Sequence, residues 1–218
     1  MIDSSPMHQI HGKVFTIGHS NHEIEGFVEL LRQHRIDALA DVRSAPYSRF
    51  NPQFNREPFA AALKEKGFRY VYLGRELGGR SDNFECYDEE GRIVFDRVAA
   101  TGKFKRGLAR VVDGAARHRI ALMCAEKEPL ECHRTLLVAC KLDNRSVEVD
   151  HIHADGSLES HDQAMTRLIK LVLPREGPLI RQTEPHRDVM IAEAVERQVR
   201  RIGFRDKSLA ATFAESMQ

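Results

Sequence analysis

What this sequence lacks narrows it quickly. No apolar run approaches the roughly 20 residues needed to span a membrane. The N-terminal stretch MIDSSPMHQIHGK has no apolar core of the signal-peptide kind. A soluble cytoplasmic protein with no membrane partner is the expectation. An excess of charge of one sign is missing too: 33 Lys and Arg face 32 Asp and Glu, for a formal net charge of +1. A protein that grips nucleic acid over its whole surface would be strongly basic. Nucleic acid is therefore the less favoured partner, while a local cationic pocket stays compatible. Only four cysteines are present, Cys86, Cys124, Cys132 and Cys140, too few for a disulfide framework and expected to be free thiols. The P-loop and the dinucleotide fingerprint are absent, and LGGR (77–80) is too short to cradle a phosphate. No internal repeat or low-complexity tract breaks the chain.

The 218 residues, 42% of them hydrophobic, can bury a core without staples. Residues 1–12 read as a flexible leader. VFTIGHS (14–20) is a short β-branched and apolar run. The stretch 22–35 gathers Ile24, Phe27, Val28, Leu30 and Leu31 on one side of a helix. IDALADV (36–42) reads as a second buried strand. Strand, helix and strand within about 30 residues make a βαβ unit. Further strands are expected at 68–73, 121–126 and 147–153, and further helices at about 57–66, 104–118, 131–142 and 158–173. The fold class is therefore α/β, three-layered, with a mostly parallel sheet of about five strands and helices on both faces. No periodicity explains the polar stretch 74–92. Residues 13–173 form the domain. Residues 174–188, with Pro174, Pro178 and Pro185, read as a linker. The charged helix 188–202 carries a narrow stripe, Ile191, Val195, Val199 and Ile202, suited to a homodimer seam.

Ligands of open α/β sheets bind beyond the carboxyl ends of the strands. There the chain places His19, Asp41 with Arg43, and Cys124 with Glu126; neighbouring loops add Arg49 and Arg80. The segment Cys132-His133-Arg134 opens a helix, whose free N–H groups favour an anion. Arg134 in that first turn opposes the helix dipole by a few tenths of a kcal/mol, a cost that makes sense if it faces an anion or a buried acid. The same field would favour a thiolate at Cys132 or Cys124, and His133 could move protons near neutral pH. Plainer readings stand beside these. Cys124 suits a core strand, Cys140 an apolar helix face, and Asp41 with Arg43 an internal ion pair. Cys124, Cys132, His133 and His19 are chemically suitable zinc ligands. Their spacing matches no common finger or ribbon, so neither a metal nor another cofactor is expected.

IGHSN (17–21), DVRSAPYSRFNPQFN (41–55), YLGRELGGR (72–80) and MCAEKEPLECHR (123–134) together resemble the DUF488 family over about residues 13–153. The resemblance implies a shared site at His19, Ser20, Asp41, Arg43, Ser44, Arg49, Gly78, Gly79, Arg80, Cys124, Glu126, Cys132, His133 and Arg134. A fainter likeness, to rhodanese-like domains and cysteine phosphatases, implies anion binding after a strand. Their cysteine stands six residues before an arginine, whereas Arg134 follows Cys132 by two and Cys124 by ten. The combined expectation is an enzyme, a hydrolase or transferase, acting on a phosphorylated or otherwise anionic small substrate such as a nucleotide. His19, Asp41, Glu126, His133, Cys132 and Cys124 would be its catalytic groups. Ser20, Arg43, Ser44, Arg49, Gly78, Gly79, Arg80 and Arg134 would bind substrate. The alternatives are a non-catalytic nucleotide or nucleic-acid binding module using the same rim, and a scaffold acting through its C-terminal helix.

Overall fold

The computed structural model describes residues 12–145, 147–173 and 184–216. The expected leader up to residue 11, and the expected linker from 174 to 183, lie outside the described residues. In chain order the elements are β1 (Lys13–Gly18), α1 (Ile24–Gln33), β2 (Ala38–Asp41), α2 (Arg56–Glu65), β3 (Arg69–Tyr72) and α3 (Gly74–Leu77). Then come α4 (Phe95–Ala100), α5 (Gly102–Ala115), β4 (Ile120–Cys124), a π-helix (Arg134–Ala139) and α6 (Cys140–Asp143). The chain continues with β5 (Glu148–Ile152), β6 (Leu158–Ser160), α7 (His161–Val172), α8 (Glu184–Ile202) and α9 (Lys207–Ser216).

Six strands form one sheet in the order β3-β2-β4-β1-β5-β6, parallel except for β6. The α/β layering is as the βαβ pattern predicts, with one strand more. Leu158–Ser160 pairs with β5 instead of beginning a helix; Ser160 then caps α7 through a reciprocal capping box with Gln163. β1 and β4 lie at the centre and are buried along almost their whole length, so their sequences read as continuous apolar runs. Period-two alternation splits them between two cores. Phe15, Ile17, Leu39, Ala121 and Met123 face α1 and α2 with Phe27, Phe54 and Phe59. Val14, Ala40, Leu122 and Cys124 face the other side with Leu108, Leu137, Val138 and Leu168. Each fully buried Val, Leu, Ile, Phe or Met among them contributes about 1.5–3 kcal/mol by leaving water.

The tail differs from its expected form in two respects. α8 begins at Glu184, with Pro185 in its first turn, where a missing N–H costs nothing. Its stripe Ile191, Val195, Val199 and Ile202 packs against the chain's own core, and Gln198 is fully buried, donating to Leu130 O at 2.8 Å. The apolar face that suggested a dimer seam is thus engaged within the chain. The stretch 74–92 is ordered by the same tail: Ile93 N donates to Phe204 O and Asp206 N to Gly91 O. Among the described residues no helix is long and apolar enough to cross a membrane.

Candidate functional site

The connection after β1 enters the α1 face, and the connection after β4 enters the opposite face. Adjacent strands whose chains depart in opposite directions leave a crevice at their carboxyl ends. Here the crevice is narrow. A Cβ on Gly18 would lie 1.9 Å from Glu126 O, so only glycine lets the loop after β4 cross over the end of β1. His19 N donates to Cys124 O and Ser20 N to Ala125 O, fastening the two strand ends together.

One half of the site is ionic and closed. Arg43 donates from Nε to Asp41 Oδ1 at 2.9 Å and from Nη2 to Asp41 Oδ2 at 2.7 Å, and Nη2 also reaches Phe54 O at 2.8 Å. Tyr70 OH donates to the same carboxylate at 2.7 Å. Arg43 Nη1 approaches His19 Nε2 at 3.2 Å, while His19 Nδ1 lies 2.8 Å from Ser20 O. Those partners fit a neutral ring protonated at Nδ1. His19 also stacks on Phe54 with centroids 4.3 Å apart. Burial first, and the Arg43 cation second, hold its pKa down at about 4. His19, Asp41 and Arg43 are 3%, 0% and 5% exposed. Arg43, expected to bind substrate, is instead paired internally.

The other half is built of soft donors. Cys124 ends β4, and a 3₁₀ turn (Pro129–Glu131) delivers Cys132, in extended backbone, to the start of the π-helix. His133 Nδ1 lies 3.8 Å from Cys124 Sγ and 3.9 Å from Cys132 Sγ, and its Nε2 lies 2.9 Å from Val42 O. Cys132 Sγ lies 3.0 Å from Glu126 Oε2. The ligand-capable atoms of Cys124, Cys132 and His133 are all within 4.8 Å of one another, a grouping that could hold a metal ion. Both cysteines are buried, His133 is half-buried, and Glu126 is exposed at the mouth. Burial and the neighbouring Cys132 push the Cys124 thiol up. Burial pushes on Cys132 in the same direction, but its hydrogen bond with Cys124 and the nearby Arg134 and His133 outweigh it and bring the thiol down. Desolvation, then Cys132, raise the Glu126 carboxyl. Cys132 also raises His133 against the opposing effect of burial.

The helix start expected to receive an anion is occupied by the chain itself. Arg134 N donates to Cys132 Sγ at 3.4 Å, and Thr135 N and Leu136 N donate to Cys132 O. The Arg134 side chain is 0% exposed, with Nη1 on Glu126 O at 2.6 Å and Nη2 on Lys127 O at 3.3 Å. It pins the loop after β4 from inside instead of facing outward. The segment is also a π-helix, a geometry that recurs at functional sites.

Over this half lies the segment 74–80, α3 and the turn that follows it. A Cβ on Gly79 would come 2.8 Å from His133 Cγ, and one on Gly78 2.3 Å from Ser44 Oγ. These two glycines permit close approach and bind nothing through side chains. Arg80 N donates to Ser44 Oγ at 3.0 Å, while its exposed guanidinium stacks over Phe204 at 4.3 Å. Arg49 is exposed and stacks over Phe50. Ser20, left-handed at φ 48, is half-buried at the end of β1. Val42 joins the two halves, since it follows Asp41, precedes Arg43 and accepts from His133. Three residues that shape the site were not singled out from sequence: Tyr70, Phe54 and Gln198. Tyr70 alone carried a signal, a hydroxyl on a strand flanking the one that ends in Asp41.

Comparison with known proteins places this arrangement in a family. No curated protein and no solved structure matches the chain. The family model described as Domain of unknown function DUF488 matches residues 23–140. That span holds every site residue from Asp41 to Arg134, it exceeds half of the chain, and the protein belongs to the DUF488 family.

Proposed function

We propose that this chain is an enzyme acting on a small anionic substrate, of the phosphorylated or nucleotide class, by proton transfer in the crevice between β1 and β4. One observation carries the reading. Glu126, an exposed residue, sets its carboxyl 3.0 Å from the sulfur of Cys132, where two buried thiols share one imidazole nitrogen. A purely structural core surrounds its thiols with aliphatic groups; here a carboxyl, an imidazole and the backbone amide of Arg134 converge on them. Glu126 can exchange a proton with solvent and reach a bound substrate, as a general acid or base must. Arg80 and Arg49 are the exposed guanidinia available to an anion, with Ser20 and Ser44 beside the strand ends. Arg43, Arg134, Asp41 and His19 then serve as positioning residues, since their partners are internal.

The test is a turnover screen of nucleotides, phosphate esters and carboxylate esters with the full chain and with Glu126→Gln. Turnover of at least one anionic class is expected, lowered by about 10²–10⁴-fold in the variant. Anion-dependent thermal stabilisation without turnover would replace the enzyme by a binding module. A screen with neither response contradicts the reading.

A further inference from the structure

Proton transfer does not require two sulfurs on one imidazole nitrogen. We propose that Cys124 Sγ, Cys132 Sγ and His133 Nδ1 form a three-ligand centre for a thiophilic divalent transition-metal ion of the zinc class. Zinc bonds sulfur at about 2.3 Å and nitrogen at about 2.0–2.1 Å, and tetrahedral angles then set neighbouring S and N ligands about 3.6 Å apart. The observed separations of 3.8 and 3.9 Å are only a few tenths longer. Thiols packed merely as core residues have no reason to converge on one nitrogen at that spacing.

The imidazole is also oriented for the task. Val42 O is a pure acceptor, so His133 Nε2 carries the proton it donates at 2.9 Å. In the neutral ring this leaves the Nδ1 lone pair facing the two sulfurs. A ligating histidine whose other nitrogen donates to a carbonyl is the usual outer arrangement of a metal site. The Arg134 amide pointing at Cys132 Sγ supplies a donor that stabilises a coordinated thiolate. Each thiol that coordinates releases its proton to solvent, with no change of oxidation state.

Three protein ligands leave a fourth position for water or substrate, the pattern of catalytic zinc sites. The Glu126 carboxyl, already on Cys132 Sγ, stands beside it. Catalytic use of the ion, with Glu126 taking a proton from metal-bound water, rests on the proton-transfer reading above; binding of the ion does not.

The full chain, reduced and stripped with chelator, is titrated anaerobically with Co²⁺. Saturation at a single equivalent is expected, with a near-ultraviolet thiolate-to-cobalt charge-transfer band and the visible bands of a tetrahedral ion, all displaced by zinc. Cys132→Ser should weaken binding by more than about 100-fold, beyond the 10–100-fold cost of losing an outer-shell partner. Glu126→Gln should keep stoichiometry and bands. The wild-type spectrum decides the matter even if a cysteine variant fails to fold. A wild-type protein without a thiolate band overturns the proposal, and so does a band unchanged in Cys124→Ser, Cys132→Ser and His133→Ala. Turnover in a protein that shows no thiolate band on cobalt titration would overturn the metal centre alone. A cobalt centre in a protein without turnover would overturn the catalytic reading alone.

Discussion

Two clusters meet at Val42, and they differ in what they leave undone. On one side Asp41, Arg43, Tyr70 and His19 pair with one another or with backbone. Charge is neutralised there, and burial leaves no face for a substrate. On the other side Cys124, Cys132 and His133 converge without saturating their donor capacity, and the one carboxyl on them among the described residues belongs to an exposed residue, Glu126. The residues with the strongest apparent anion chemistry hold the scaffold, and the soft donors hold the unused chemistry. Buried charge is costly unless it is paired or hydrogen-bonded. A fully satisfied charged cluster is therefore the expected frame of a site, and its unsatisfied neighbour the expected centre.

The sharpest way to break this contrast is to unpair the closed half. Arg43→Ala leaves Asp41 buried without its cation, at a cost of roughly 3–5 kcal/mol in urea-unfolding free energy. A cost under 1 kcal/mol would mean the pair is dispensable and Arg43 free for other work. Arg134→Met comes next. Losing charged hydrogen bonds to Glu126 O and Lys127 O should cost roughly 1.5–3 kcal/mol; unchanged stability with lost anion binding would return Arg134 to the substrate.

The buried histidines also titrate. His19, His151 and His161 lie below their usual 6.5, each chiefly through burial. His151 bridges Thr16 Oγ1 at 2.8 Å and His161 Nδ1 at 3.1 Å. A lowered folded-state pKa stabilises the fold fully above 6.5, and this contribution is lost as the pH falls below that value. For His19, held at about 4, the loss by pH 5 is about 2 kcal/mol, at 1.36 kcal/mol per unit. His133, shifted upward, acts in the opposite sense in metal-free protein. Urea midpoints should fall between pH 6.5 and 5, less steeply in His19→Gln; parallel curves for the two proteins would remove His19 from the account. The smallest effect is expected at Arg80→Ala. Loss of its stacking on Phe204 costs about 0.5–1 kcal/mol, while the thermal shift produced by an anionic ligand should shrink. An undiminished shift would place the anion elsewhere.

Much of the fold was legible because β1, β2 and β4 are short apolar runs and α1 is amphipathic; those patterns follow from burial on two faces or one. The roles within the site were less legible. Arg134 at a helix start reads as an anion receptor only while the loop 125–131 is imagined open. Its true partners are the carbonyls of Glu126 and Lys127, and backbone acceptors leave no trace in a sequence. Cys124 and Cys132 stand eight apart, one ending a strand and the other following a 3₁₀ turn, so no short ligand spacing announces them. The two sulfurs and the imidazole converge in space although their linear spacing matches no common metal motif. The π-helix has no sequence signature either. The stripe on α8 was a correct reading of an apolar face, but that face packs on its own chain.

X-ray absorption at the zinc edge of the loaded full-length protein reads the ligand set of the Cys124–Cys132–His133 centre. Two sulfur ligands at about 2.3 Å are expected, with one imidazole nitrogen at about 2.0–2.1 Å and one further light atom. A shell of nitrogen and oxygen alone would contradict it and return the cysteines to the core.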